Sequence, residues 1–241
     1  MRRLFVPPEE IGPKIKLKTK DLKYLLRVLR LETGDLVEVF DGKGNRYKTR
    51  IVQYEDGYFL QVLEELEPET QKSPRICLGQ GLLKGEKMKW VIQKATELGA
   101  EMIVPVKTSR SIPLLEEQEA KSKVDRWRKI AQEAAKQSNR STVPQILEPM
   151  DLEDFLELAE GTKLAFWERA KTGFKEAIKD IKPADTITLL IGPEGGFSDK
   201  EASKITQSGF TLCHLGERIL RAETATLAAM TITQYLYGDI G

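Results

Sequence analysis

The chain has little with which to hold a metal or form a disulfide: its 241 residues include one histidine, His214, and two cysteines, Cys77 and Cys213. A zinc site needs three or four clustered Cys, His or carboxylate ligands, so this inventory argues against a metal centre. Both cysteines lie in apolar, strand-like runs and read as buried reduced thiols. His214 stands alone at a strand end, and its reading is a partly buried side chain rather than a catalytic base. No apolar run approaches the length that crosses a bilayer, and the N-terminus carries no signal-like segment. The expectation is a soluble, cytoplasmic chain of one or two domains with no membrane partner.

Net charge is also scarce, at +1, but its distribution is uneven. Residues 1–54 hold 13 Lys or Arg against 7 Asp or Glu, a net of +6, and residues 84–140 hold 13 against 8, a net of +5. Residues 141–241 hold 10 against 16, a net of −6. A basic end and a basic middle suit a phosphate backbone, although charge counts alone leave ordinary solvated faces equally open.

What is abundant is motif, concentrated between Ile187 and Met230. Thr186 to Ile191 is a β-branched apolar run halted by Gly192-Pro193-Glu194-Gly195-Gly196, a loop whose glycines let a ligand approach bare backbone. Ser198-Asp199-Lys200-Glu201 has capping-box spacing, so a helix begins there with its amide end toward the loop. Leu215-Gly216-Glu217-Arg218-Ile219-Leu220-Arg221 then sets two arginines among bulky apolar residues before a final helix, Thr224 to Tyr237. No G-K-[ST] follows the glycines, so a phosphate-binding loop is a poor match.

Upstream, a strand at Arg3–Val6 precedes a helix over Thr19–Arg30, where Leu22, Leu25, Leu26 and Leu29 share one face. Short strands follow at Leu36–Phe40, Arg46–Gln53 and Tyr58–Leu63, making a small β-rich domain. The polar segment from Glu64 to Pro74 is the natural linker, dividing the chain into domains 1–72 and 73–241. Beyond it, strands at Ile76–Leu82, Met102–Val106, Lys163–Trp167, Thr186–Ile191 and Thr211–Leu215 alternate with helices. That order argues for an α/β fold with a mainly parallel sheet.

The two loops together resemble the AdoMet-binding motifs of the SPOUT methyltransferases. GPEGGFS with LGERILRAETA is similar to the RsmE family, the 16S rRNA (uracil-1498-N3)-methyltransferases. Arg27-Val28-Leu29-Arg30, Phe40-Asp41-Gly42, Lys94-Ala95-Thr96-Glu97-Leu98-Gly99 and Glu133-Ala134-Ala135-Lys136-Gln137-Ser138 extend the likeness over most of the chain, in order. Where relatives often carry histidines before the RVLR-like run, this chain has Lys23-Tyr24, so no role of those histidines transfers. The resemblance implies a SPOUT α/β domain with a trefoil knot, preceded by a PUA-like RNA-binding β-barrel. It also implies a homodimer acting on 16S rRNA in the small ribosomal subunit, a partnership that suits the apolar last helix.

Under that resemblance, AdoMet, which has no phosphate, calls for backbone hydrogen bonds and apolar walls. Phe166, Trp167, Glu168, Ile191, Gly192, Pro193, Gly195, Gly196, Leu215, Gly216, Ile219, Leu220 and Ala222 would supply them. Uracil N3 attacks as an anion, so Arg221 is the expected electrostatic catalyst, with Glu194 and Glu223 as proton acceptors or orienters. An ion pair of Arg221 with Glu217 or Glu223 stays open as a purely structural role. Arg2, Arg3, Arg27, Arg30, Arg110 and Arg140 are the expected RNA contacts. Ribose 2′-hydroxyl methylation and a non-catalytic ribosome assembly role are the competing readings.

Overall fold

The structure, a computed structural model, describes residues 2–70, 74–111, 117–179 and 184–241. It divides into two compact units, Met1–Gln71 with Ala135–Val143, and Lys72–Ala134 with Pro144–Gly241. The boundary expected near residue 72 lies outside the described residues.

In the first unit, β1 (Arg2–Phe5) and β2 (Lys14–Lys16) lead to a helix that is α-helical over Thr19–Leu22 (α1) and π-helical over Lys23–Val28. The widened turn is visible as Leu29 N–H donating to the Tyr24 carbonyl at 2.9 Å. Of the four leucines on the expected face, only Leu25 is fully buried. Strands β3 (Leu36–Phe40), β4 (Arg46–Tyr54) and β5 (Gly57–Leu66) form an antiparallel meander, and the sheet order is β1-β3-β4-β5-β2. Alternation sends Leu4, Ile15, Val37, Val39, Ile51 and Leu60 inward with Leu25 to make one core. The three-residue β2 is too short for its alternation to be read from sequence.

Residues 135–143 pack in this first unit, although they follow the linker in sequence. Backbone bonds hold them, from Gly44 N–H to the Ser141 carbonyl at 3.1 Å and from Val143 N–H to the Gly42 carbonyl at 2.9 Å, together with Arg3, which is only 8% exposed. Its guanidinium donates to Glu38 Oε1 at 3.0 Å, to the Arg140 carbonyl at 3.0 Å and to Ser141 Oγ at 2.7 Å, and lies 4.7 Å from the Phe40 ring centre. Arg3 is therefore an internal clip, which corrects its expected role as an RNA contact: a guanidinium already enclosed by three acceptors cannot meet a phosphate. Burial raises the Glu38 carboxyl pKa, but Arg46 and Arg3 outweigh it and hold the group below its usual range.

The second unit is a parallel sheet ordered β12-β10-β11-β6-β7-β8, with a short β9 also on β7. Its elements run β6 (Arg75–Gly81), α2 (Glu86–Glu97), β7 (Ala100–Lys107), α3 (Glu117–Gln137), β8 (Gln145–Ile146), β9 (Met150–Asp151) and α4 (Leu152–Leu158). They continue through β10 (Thr162–Phe166), α5 (Phe174–Ala177), β11 (Thr186–Ile191), α6 (Asp199–Gln207), β12 (Thr211–Cys213) and α7 (Ala222–Tyr237). The central strands are apolar on both faces because helices cover both, as parallel sheets require. Val104, Phe155, Ala165, Leu190, Phe197 and Ile205 share one core, and Cys77 and Cys213 are free thiols that burial pushes up to about 12. Among the described residues no helix is long and apolar enough to cross a membrane.

Replacing Arg3 with alanine leaves Glu38 buried with one cation fewer, a change expected to cost about 3 kcal/mol. Urea unfolding of Arg3→Ala against wild type measures it; an unchanged midpoint would refute the clip.

Candidate active site

The sheet order reverses between β6 and β11: β7 lies beyond β6, while β10 and β12 lie beyond β11. Such a switch point opens a crevice at the carboxyl ends of the strands. A cavity of about 600 Å³ lies there, walled by Phe166 to Glu168 after β10, Ile191 to Gly196 after β11 and His214 to Ala222 after β12, with Lys87 and Ala225. All thirteen expected cofactor residues, Phe166, Trp167, Glu168, Ile191, Gly192, Pro193, Gly195, Gly196, Leu215, Gly216, Ile219, Leu220 and Ala222, line it, as do Glu194 and Arg221.

The 192–196 loop is held by its carbonyls. Gln80 Nε2 donates to the Gly192 carbonyl at 3.3 Å, Arg110 Nη1 to that of Gly195 at 2.8 Å, and Trp167 Nε1 to that of Phe197 at 3.2 Å. Phe197 itself is fully buried and anchors the loop to the core. Glycine is favoured at Gly195, where a Cβ would stand 3.0 Å from Arg110 Cβ, and at Gly196, whose φ of +63° side chains rarely adopt. Arg169 stacks 4.6 Å from the Trp167 ring centre and pairs with Asp199 at 3.0 Å, fixing the indole.

The capping box is present: Glu201 N–H donates to Ser198 Oγ at 3.3 Å, and Ser198 N–H to Glu201 Oε2 at 2.8 Å. Glu201 also accepts from the Ser109 amide at 2.7 Å and hydroxyl at 2.9 Å, tying the loop after β7 to α6 and so placing Arg110. Burial raises its pKa, but the Ser198 and Ser109 bonds prevail and hold it low.

Glu194 is engaged. It accepts from the Lys84 amide, just before α2, and from Lys87 Nζ in its first turn, both at 3.1 Å. Burial works against its charge, yet the Lys84 amide, its own backbone amide and Lys87 prevail and keep the carboxyl below its ordinary range. A carboxylate held low is a weak base, so Glu194 suits orientation better than proton transfer. Glu223 Oε2 is buried without a hydrogen-bond partner among the described residues, and Glu223 does not line the cavity.

Arg221 is exposed at the N-cap of α7 and lines the cavity. Among the described residues no ion pair holds its side chain, neither Glu217 nor Glu223. Three contributors escaped the sequence reading. His214 Nδ1 accepts from Gly216 N–H at 3.0 Å and shapes the turn into the last loop; Lys87 is the second residue of α2; Gln80 is a buried strand-end amide. Only an amide in an apolar run marks the last in the sequence.

The cavity suits AdoMet chemically: it combines apolar wall from Ile191, Leu215 and Leu220 with closely approachable glycine backbone and charged side chains at its rim. The family model described as RNA methyltransferase domain matches residues 70–234, and that described as RNA methyltransferase PUA domain matches residues 17–59. The Ribosomal RNA small subunit methyltransferase E of Bacillus subtilis (strain 168) is 31% identical over 237 residues, 94% of this chain and 91% of that protein. Its counterpart from Synechocystis sp. (strain ATCC 27184 / PCC 6803 / Kazusa) is 34% identical, over 95% of this chain and 75% of that one. The crystal structure of a Ribosomal RNA small subunit methyltransferase E from Neisseria gonorrhoeae bound to S-adenosyl methionine superposes over 100% of both chains with a TM-score of 0.87 and 31% identity. With loops, cavity and both domain models falling on one continuous likeness, the chain belongs to the ribosomal RNA small subunit methyltransferase E family of RNA methyltransferases.

Proposed function

We propose that this chain is an AdoMet-dependent enzyme that methylates N3 of one specific uridine, position 1498 in standard numbering, of 16S rRNA in the small ribosomal subunit, in the cytoplasm and without a metal. The observation that carries the reading is Arg221: an exposed guanidinium on the wall of a glycine-rich cavity, with no ion pair among the described residues. Bound there, AdoMet would supply an electrophilic methyl group on its sulfonium. Ile191, Leu215, Leu220 and Ala222 offer apolar wall, and Gly192, Gly195, Gly196 and Gly216 offer backbone. Phe166, Trp167, Glu168, Pro193 and Ile219 complete the enclosure.

Uracil N3 keeps its proton at neutral pH, so the protein must favour the anion. A guanidinium about 4 Å away contributes up to about 4 kcal/mol at an effective dielectric near 20, or about three pKa units. With the anion so favoured, water suffices to accept the proton, and Glu194, committed to α2 and Lys87, orients. No cysteine nucleophile is needed, since N3 attacks directly.

The assay is nucleoside mass spectrometry of 16S rRNA from a deletion strain before and after complementation. N3-methyluridine is expected; a ribose-methylated product, or no product despite RNA binding, would replace the proposal with the corresponding alternative. For Arg221→Ala, turnover should fall on the order of 10²-fold with the fold intact, and its pH–rate profile should move to higher pH because the uracil must ionise unaided. An unmoved profile would remove Arg221 from this role.

RNA capture is assigned to the exposed Arg2, Arg27 and Arg30 of the first unit and, in part, to its half-buried Arg140 and to the exposed Arg110 of the second. Arg110 also braces Gly195, and Arg140 Nη2 donates to Thr142 Oγ1 at 3.1 Å. The log–log slope of rRNA affinity against salt should flatten by about 0.7 to 0.9 for each of Arg27→Ala and Arg30→Ala. Equal slopes in both variants and wild type would remove them from the interface.

A homodimer completes the proposal. Tyr235 is 67% exposed and Leu236 45%, with Ile232 on the same helix and Trp90 on α2 also exposed, an apolar strip that a second copy would cover. Sedimentation at micromolar concentration should give twice the chain mass, and Leu236→Glu should lower it toward one; a monomeric wild type would refute the dimer.

A further inference from the structure

We infer that Gln80 is a positioning residue that sets the spacing between the two cofactor loops, with Thr226 as its partner; this rests on the reading of the cavity as an AdoMet site. Gln80 is the penultimate residue of β6 and is fully buried. Its Nε2 donates to the Gly81 carbonyl at 3.1 Å and to the Gly192 carbonyl at 3.3 Å. Carbonyls only accept, so the orientation of the amide is fixed, and Oε1 is turned to the Thr226 hydroxyl of α7. One planar amide thus joins the first residue after β11 to the second turn of the helix that follows Leu215 to Arg221.

The neighbouring geometry shows that the spacing is tight. A Cβ on Gly81 would stand 2.4 Å from the Pro193 nitrogen and 2.7 Å from the Gly192 carbonyl carbon, so the end of β6 is already in contact with the glycine loop. Gly192 lines the cavity, and Thr226 follows cavity-lining Ala222 and Ala225 on α7. A buried amide in an apolar strand is costly unless its partners are met, and a leucine would fill a similar volume without that demand. Here each partner of Gln80 other than its own neighbour belongs to an element that walls the cavity.

Calorimetry with AdoMet, and steady-state kinetics with AdoMet and rRNA varied separately, test the assignment in Gln80→Leu, Gln80→Glu, Thr226→Val and Thr226→Ser. Gln80→Leu should weaken AdoMet binding at least about tenfold, since leucine cannot donate to Gly192, and Gln80→Glu should weaken it wherever its carboxyl is ionised and has no proton to donate. Thr226→Val should weaken it severalfold, and Thr226→Ser, which keeps the hydroxyl, should restore it. Adding Thr226→Val to Gln80→Leu should cost little more, because the pair acts as one unit. The KM for AdoMet should rise while that for rRNA holds. If Gln80→Leu does not fold, the comparison of Thr226→Val with Thr226→Ser decides. Folded variants that bind AdoMet as wild type does, or that lose only thermal stability, would overturn the assignment alone. A wild-type chain that binds no AdoMet would overturn the methyltransferase reading and this assignment with it.

Discussion

The pairing of β11 with β6 is the constraint on which the site depends. Six consecutive register pairs, from Thr186 with Arg75 to Ile191 with Gln80, bring the end of one strand level with the end of the other. Because β10 and β12 lie on one side of that seam and β7 on the other, successive loops leave the sheet in diverging directions. The crevice is thus a product of topology. A slip of one residue in this register would invert every side chain of β11 and move the glycine loop away from Gln80.

The two loops that meet at the seam are stabilised differently. The one at 192–196 is held through its carbonyls by Gln80 and Arg110, through Glu194 by Lys84 and Lys87, and just past its end by Trp167 bound to the Phe197 carbonyl. It contributes fixed backbone, which costs nothing to reorganise when a ligand arrives. The one at 216–221 is braced at its start by His214 but exposes Glu217, Arg218, Ile219 and Arg221. Ile219 is 83% exposed, a large apolar side chain beside two arginines. One loop supplies shape and the other supplies charge.

Much of this was legible in the sequence because local chemistry and tertiary structure agree there. The β-branched run Thr186–Ile191, the capping box at Ser198 and Glu201, and the alternation of strands with helices are each written in a few adjacent residues. What stayed hidden depends on residues distant in the chain. Arg3 resembles any surface arginine until Glu38 and Ser141 are seen around it, at separations of 35 and 138 residues. Gln80 and Thr226 are 146 positions apart, and neither carries a motif. Glu194 was visible as a loop carboxylate, but its commitment to Lys84 and Lys87 was not. The π-helical turn at Lys23–Val28 is not announced by the spacing of its leucines: Leu22, Leu25, Leu26 and Leu29 all pack against the same core, as a 3.6-residue reading expects, but only Leu25 is fully enclosed.

The return of Ala135–Val143 to the first unit bears on the order in which this protein takes shape on the ribosome. The N-terminal sheet emerges first, yet the partners of the Arg3 guanidinium on Arg140 and Ser141 do not exist until more than half of the chain has been made. At about 5–20 residues per second, the interval is several seconds. Through it the buried arginine has Glu38 but lacks its other two acceptors, so the first unit stays incomplete while strands of the second are already leaving the tunnel. Synthesis therefore couples the maturation of a domain at one end of the chain to sequence well past the linker that follows it.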